Sequence, residues 1–173
     1  YGIPLVVKHN GAEEAGGPLF WAHYSYVGLD PTQLTDQYVN YWDVNVNHTK
    51  INYQHCVENP GNFSGYGPNY WGLTASYTRN NDGTIGYNAH MPSNDKGVIS
   101  PTAAISSIVY TPAESLAAMR NFYENNSGTM WGPAGFYDAH STHFGWSAKR
   151  YLAIDQGPMV VMIENYRTGL LWN

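Results

Sequence analysis

The stretch Tyr151–Trp172, YLAIDQGPMVVMIENYRTGLLW, decides how the rest of the chain is read. It opens on an apolar run, Tyr151 to Ile154, and then places one carboxylate, Asp155. Gln156-Gly157-Pro158 follows, a helix-start pattern with proline at the first helical position, where its missing N–H costs no hydrogen bond. Met159 to Ile163 would be apolar on every side of a helix, which predicts a buried one. Glu164 and Arg167 lie one turn further on and are expected to pair at i,i+3 spacing, as a structural ion pair inside that helix. Two readings are open for Asp155. It is a helix-start aspartate, satisfied by free N–H groups and the helix dipole. Or it is a carboxylate placed at a helix mouth for catalysis or sugar binding.

The 173 residues are enough for one domain with a real core. The net charge is −5, with only eight Lys and Arg, which argues against a nucleic-acid partner. Charged residues make up 12% of the chain and aromatics 15%, with 15 Tyr and 6 Trp. Tyr and Trp join an apolar body to a hydrogen-bonding handle. That palette suits sugars, whose C–H faces stack on rings while their hydroxyls need polar partners, and it equally suits an aromatic core. The lone cysteine, Cys56, excludes an intrachain disulfide and reads as a packed thiol. No apolar run reaches the roughly 18 residues of a membrane span. The opening YGIPLVV shows no signal-peptide pattern.

Outward from the opening stretch, the chain alternates helix-like segments with long aromatic loops. Residues 1–16 read as a loop punctuated by Gly11 and Gly16, with Glu13 and Glu14 as a solvated pair. Pro18 opens a helical aromatic segment to Gly28 whose face carries His23, read as a hydrogen-bonded core histidine. A long helix is expected from about Pro31 to Val57, on a stripe of Leu34, Tyr38, Tyr41, Trp42 and Asn45. Residues 58–100 are rich in Gly, Asn and Pro with Tyr and Trp interleaved, the kind of long loop that is usually functional. A short helix is expected inside it over Trp71–Tyr77, and Asn81-Asp82-Gly83 is a turn. Pro101–Ile108 reads as a short buried helix. Thr111-Pro112-Ala113-Glu114 is a capping-box pattern starting an amphipathic outer helix to about Glu124, with Leu116, Met119 and Tyr123 on one face and an Arg120–Glu124 pair. Residues 125–150 form a second aromatic loop. There Asp138 reads as a cap or loop brace, and His140 and His143 have metal-like spacing but no third ligand, so no metal is assigned. No alternating strand set is evident, and the fold class expected is all-α, with inner helices enclosed by outer ones.

Five strings carry a more specific signal: PLFWAHYSYVGLDP, NPGNFSGYGPNYWGLTASY, SPTAAISSIVYTPAESLAAMRNFY, WGPAGFYDAH and YLAIDQGPMVVMIENYRTGLLW. In this order they resemble the glucoamylase-like family of bacterial glycoside hydrolases, in its endo-β-1,2-glucanase and sophorose-releasing branch. The resemblance implies an (α/α)6 barrel with a sugar cleft at one end. Such a barrel needs twelve helices and on the order of 400 residues. The chain is therefore expected to be the C-terminal portion of one such domain, its N-terminal half lying in a missing segment or a second chain. The resemblance further implies inverting hydrolysis of a β-linked oligo- or polysaccharide, without a cofactor, in the periplasm or outside the cell. Asp155 is then the expected catalytic base, with its partner acid in the other half, roughly 6.5–9.5 Å away. Asp138 is the second choice, as a sugar ligand or alternative carboxylate. Trp71, Tyr87, His90, Tyr137 and Gln156 are the expected subsite residues. Sugar binding without catalysis, or a truncated fragment of such an enzyme, is the alternative.

Overall fold

The computed structural model describes residues 1–5 and 15–173; Gly11, Glu13 and Glu14 of the opening loop lie outside the described residues. Helices make the frame: α1 (Phe20–Tyr24), α2 (Tyr41–Glu58), α3 (Pro101–Ser106), α4 (Pro112–Glu124), α5 (Ser127–Met130) and α6 (Ala153–Thr168). The expectation of helices alone does not hold. Three antiparallel two-stranded ribbons join the frame: β1 (Ala75–Arg79) with β2 (Ile85–Ala89), β3 (Trp131–Gly132) with β4 (Gly135–Phe136), and β5 (His140–Ser141) with β6 (Trp146–Ser147).

The first ribbon takes the place of the helix expected over Trp71–Tyr77. Its register pairs Ala75 with Ala89 and Tyr77 with Tyr87. The Asn-Asp-Gly turn closes it: Asp82 Oδ1 accepts from the Thr84 N–H at 2.9 Å and from the Thr84 hydroxyl at 2.6 Å. The alternation is inverted in polarity. Ser76 and Thr78 are the buried side, while Ile85 and Tyr87 are exposed.

Helix α2 begins at Tyr41, not near Pro31. Asp36 accepts N–H groups from Tyr38 and Val39 and the hydroxyl of Tyr41, and this local turn competes with the helix ahead of it. Asn40 caps the true start, and Asn59, in the left-handed region at φ 49°, ends it. Of the expected stripe, Trp42 packs on the second core cluster and Asn45 is buried, while Leu34 and Tyr38 precede the helix. The buried face is mostly polar: Asn45, His48, Thr49, Asn52 and His55, with Ile51 and Cys56. Asn52 pins the loop at Leu73, donating to its C=O at 3.1 Å and accepting from its N–H at 2.9 Å. His55 Nε2 meets Asp95 at 2.8 Å, His48 Nε2 meets the Gly17 carbonyl at 2.7 Å, and Asn45 donates to the Tyr110 hydroxyl at 3.3 Å.

Helix α3 packs between α4 and α6. Around it the larger core gathers Leu19, Trp71, Ile99, Ile105, Phe122 and Met130, and a second cluster joins Ala22, Ile108, Tyr110 and Met162. Gly72, at φ 124°, lets the chain after Trp71 press against α3, where a Cβ would lie 2.8 Å from the Ser100 carbonyl oxygen. Helix α4 starts and stops where expected, but Thr111 makes no side-chain cap; its hydroxyl faces Ser107 and Ser115 instead. Its core face is Ser115, Ala118 and Phe122. The Leu116–Met119–Tyr123 stripe looks outward into a surface groove of about 650 Å³ shared with Trp131 and Phe136. The Arg120–Glu124 pair forms at 3.6 Å on the exposed side.

Helix α6 begins at Ala153, so Pro158 stands inside the helix rather than at its start. Asp155, Pro158, Met159, Met162 and Asn165 face inward. The opposite face is open: Ile154, Val160 and Tyr166 are 41%, 63% and 48% exposed. The helix is thus buried on one side in the described structure, not all round. Glu164 and Arg167 do pair, at 2.9 Å, but on the exposed surface.

Candidate active site

Two carboxyl groups from distant parts of the chain meet beside the first ribbon. Asp138 follows β4 and is held by two other segments at once. Its N–H donates to the Arg150 carbonyl at 2.8 Å, and its Oδ2 accepts the Tyr77 N–H of β1 at 2.8 Å. Asp155 is the third residue of α6, where the first turn leaves N–H groups without helical partners. Both are buried, Asp138 at 0% and Asp155 at 4% exposure. On one side Asp155 borders a narrow crevice, too tight to admit a water, among Phe20, His23, Thr74 and Thr102.

The carboxyls lie within hydrogen-bonding reach of each other. Yet Asp138 Oδ1 and Asp155 Oδ2 are buried without a donor. The two facts agree chemically: ionised carboxylates only accept, so a proton must sit between them before the contact becomes a hydrogen bond. Burial raises Asp155 to about 8, with the Asp138 charge and the contact with Asp138 adding to it. Burial also raises Asp138, opposed by the Tyr77 N–H and by the contact with Asp155. Among the described residues no Lys or Arg pairs with either group. His23, on the far side of the crevice, is pushed down to about 3 by burial and donates no charge; its Nε2 meets Ser107 Oγ at 2.9 Å.

Of the remaining residues singled out in the sequence, Tyr87 joins the pair. It is 58% exposed, stacks edge-on against Tyr77 at 6.5 Å, and feels the charges of both carboxyls. Of the others, two are enclosed and two are half-buried. Trp71 is fully buried in the core, edge-on to Tyr53 at 5.4 Å, with Nε1 donating to the Glu114 carbonyl at 3.4 Å. His90 is fully enclosed and pushed down to about 4 by burial. Gln156 donates to the Phe136 carbonyl at 2.9 Å and braces α6 against β4. Tyr137 packs against Tyr151 at 5.5 Å. Trp71 and His90 therefore belong to the frame, whereas Tyr137 and Gln156 are half-buried, each next in the chain to one of the two carboxyls.

Sequence reasoning passed over Tyr77 and Arg150. Tyr77 supplies the N–H that orients Asp138, and the Arg150 guanidinium lies over the Tyr77 ring at 5.8 Å. The available signal was the inverted alternation of Ser76-Tyr77-Thr78 around a strong turn. The His140–His143 spacing builds no metal site. His140 Nδ1 meets the Tyr70 hydroxyl at 2.7 Å, His143 packs edge-on to Phe63 at 5.3 Å, and no metal-holding group of His, Cys, Asp or Glu occurs among the described residues.

The chain belongs to the glycoamylase family, whose model, described as "Putative glucoamylase", matches residues 1–173. Among curated proteins it is 48% identical over 160 residues to an exo-β-1,2-glucooligosaccharide sophorohydrolase (non-reducing end) of Parabacteroides distasonis, covering 91% of this chain and 22% of that protein. Among solved structures it is similar to an endo-β-1,2-glucanase from Chitinophaga pinensis in complex with sophorotriose and glucose. That match has 55% identity and a TM-score of 0.93, over 99% of this chain and 40% of the other. A β-1,2-glucanase from Parabacteroides distasonis matches with 42% identity and a TM-score of 0.88, over 99% of this chain and 25% of the other. The chain therefore spans about a fifth of the curated relative and well under half of these solved ones.

Proposed function

We propose that the chain is part of a glycoside hydrolase acting on β-linked glucans, with β-1,2-glucan and its oligosaccharides as the substrate class. The carrying observation is the buried Asp138–Asp155 pair beside exposed Tyr87, in a chain 55% identical to an endo-β-1,2-glucanase. Asp155 is the catalytic carboxylate, and Tyr87 offers a ring face to sugar C–H groups at the edge of the pair.

The spacing of the pair limits its role. Opposed catalytic carboxyls stand roughly 6.5–9.5 Å apart in inverting enzymes and about 5–5.5 Å apart in retaining ones. Groups in hydrogen-bond contact leave no room for a sugar between them. Asp138 and Asp155 therefore serve one side of the scissile bond, and the opposing acid comes from a part of the domain that the relatives possess and this chain does not match. The same part would complete an (α/α)6 barrel. The apolar faces left open on α6, at Ile154, Val160 and Tyr166, support that completion, because exposed apolar patches mark surfaces that pack against something. A periplasmic or secreted location goes with a polymeric substrate and is tested by cell fractionation.

One observation favours a second reading. Without an opposing carboxyl the site would hold a sugar and not cut it, so the chain alone would be a binding unit. Incubation with β-1,2-glucan, with released sophorose and longer oligosaccharides followed by chromatography, separates the two. Product release that disappears in Asp155→Asn supports the hydrolase; bound but uncut glucan supports the binding unit.

A further inference from the structure

We infer that Asp138 and Asp155 act as one proton-holding unit, in which Asp138 is a positioning residue that takes the proton from Asp155 when Asp155 works as a base. The base role rests on the function proposed above; the sharing of a proton rests on the structure alone.

Both groups are buried, no cation among the described residues offsets them, and each leaves one oxygen without a donor. Two negative charges cannot be held in contact in such a place, whereas one proton between them satisfies both free oxygens. The surroundings decide where it rests. The Tyr77 N–H donates to Asp138 Oδ2 and favours ionised Asp138, so the proton rests on Asp155. From the other elements, α1 presents neutral His23, β2 presents the Tyr87 phenol, and the Arg150 guanidinium is spent on the Tyr77 ring.

A protonated carboxyl cannot accept a proton, so Asp155 in the resting form of the pair cannot act as the base. Asp138 removes that obstacle. Transfer from Asp155 to Asp138 breaks one O–H bond, makes another, and leaves the pair at a single negative charge. Asp155 can then accept the proton of an attacking water. The pair becomes neutral and releases one proton to solvent as product leaves.

The test is a carboxyl titration of the purified protein labelled with 13C at the aspartate side chains. The expected result is one protonated aspartate at neutral pH and a pair of resonances that titrate together in two steps. In Asp138→Asn the upper step should move down by roughly one pH unit or more, because the like charge is gone. Two fully ionised aspartates at neutral pH, or an upper step unmoved in Asp138→Asn, overturns the inference. Should that variant not fold, the two-step titration of the unaltered protein decides alone. Two-step titration in a protein that cleaves no glucan would leave the proton-sharing standing and remove the hydrolase. Asp155-dependent cleavage with independent titrations would do the reverse. In active protein Asp138→Asn should displace the pH profile of kcat more than it changes KM, and Asp138→Glu should restore part of it.

Discussion

Two regions of this molecule bury polar side chains, and they do so in opposite ways. Helix α2 turns Asn45, His48, Asn52 and His55 inward, and each meets a named partner, while of that face only the Thr49 hydroxyl is buried without one. The Asp138–Asp155 pair is just as enclosed, yet it keeps two oxygens without donors and crowds two acids together. The first arrangement is what stability asks for, since a satisfied buried hydrogen bond holds segments in register. The second works against stability and is the mark of a site arranged for chemistry.

This contrast can be broken most severely at Asp155. Asp155→Asn should reduce glucan cleavage by about 10²–10⁴-fold, the usual worth of a positioned acid or base, while the melting temperature at neutral pH holds or rises because folding no longer has to put a proton on a group that is ionised in the unfolded chain. Reducing-sugar release and thermal melts on the same sample check both halves. A large loss of stability would make Asp155 a structural residue.

The frame should respond in the reverse sense. Trp71→Ala, in the middle of the larger core, should cost about 3–5 kcal/mol in urea unfolding. Asn52→Ala strands the Leu73 N–H and C=O and should cost about 1–3 kcal/mol by the same measurement. If Asn52→Ala is neutral, the polar face of α2 is not what holds the loop.

Stability against pH sharpens the comparison further. Asp155 is raised in the folded state to about 8, so folding takes up a proton there. Its contribution is fully present below the unfolded value of roughly 4 and is lost as pH rises through about 8. The buried His23, His90 and His140 are lowered to about 3, 4 and 4, and they do the opposite: the unfolded chain binds protons that the folded one refuses. Their contribution is lost as pH falls from roughly 6.5 towards those values. Melting curves of the unaltered protein and Asp155→Asn should therefore diverge with rising pH between about 4 and 8, the variant gaining. Parallel curves would remove the raised acid from the account. The smallest effect is expected at Arg167→Ala, which breaks an exposed pair and should cost under about 0.5 kcal/mol.

The sequence made some of this legible and hid the rest for physical reasons. Pro112 and Glu124 mark the ends of α4, and the region from Pro101 does fold as a buried helix continued by a 3-10 turn to Val109, because proline and apolar spacing act locally. The first ribbon stayed hidden because its buried side is Ser76 and Thr78 and its open side is Ile85 and Tyr87, the reverse of the hydrophobic alternation that signals a strand. Helix α2 was misplaced for a related reason: its inward face is chosen largely by hydrogen bonds, so the stripe picked out Trp42 and Asn45, which do pack inward, but not the start of the helix, which Leu34 and Tyr38 precede. Tyr38, 76% exposed, lies in the Asp36 turn. Asp138 and Asp155 could each be picked out, but their meeting depends on β1 supplying the Tyr77 N–H and on α6 starting at Ala153. Neither fact is carried by the residues next to them.

The most direct measurement is the release of sophorose or longer β-1,2-linked oligosaccharides from β-1,2-glucan by this protein together with the remainder of its domain, with and without Asp155→Asn. The account predicts release by the unaltered protein and near-complete loss in the variant, with the fold intact by circular dichroism. Undiminished release from a folded Asp155→Asn protein would contradict it and move the chemistry away from the carboxyl pair.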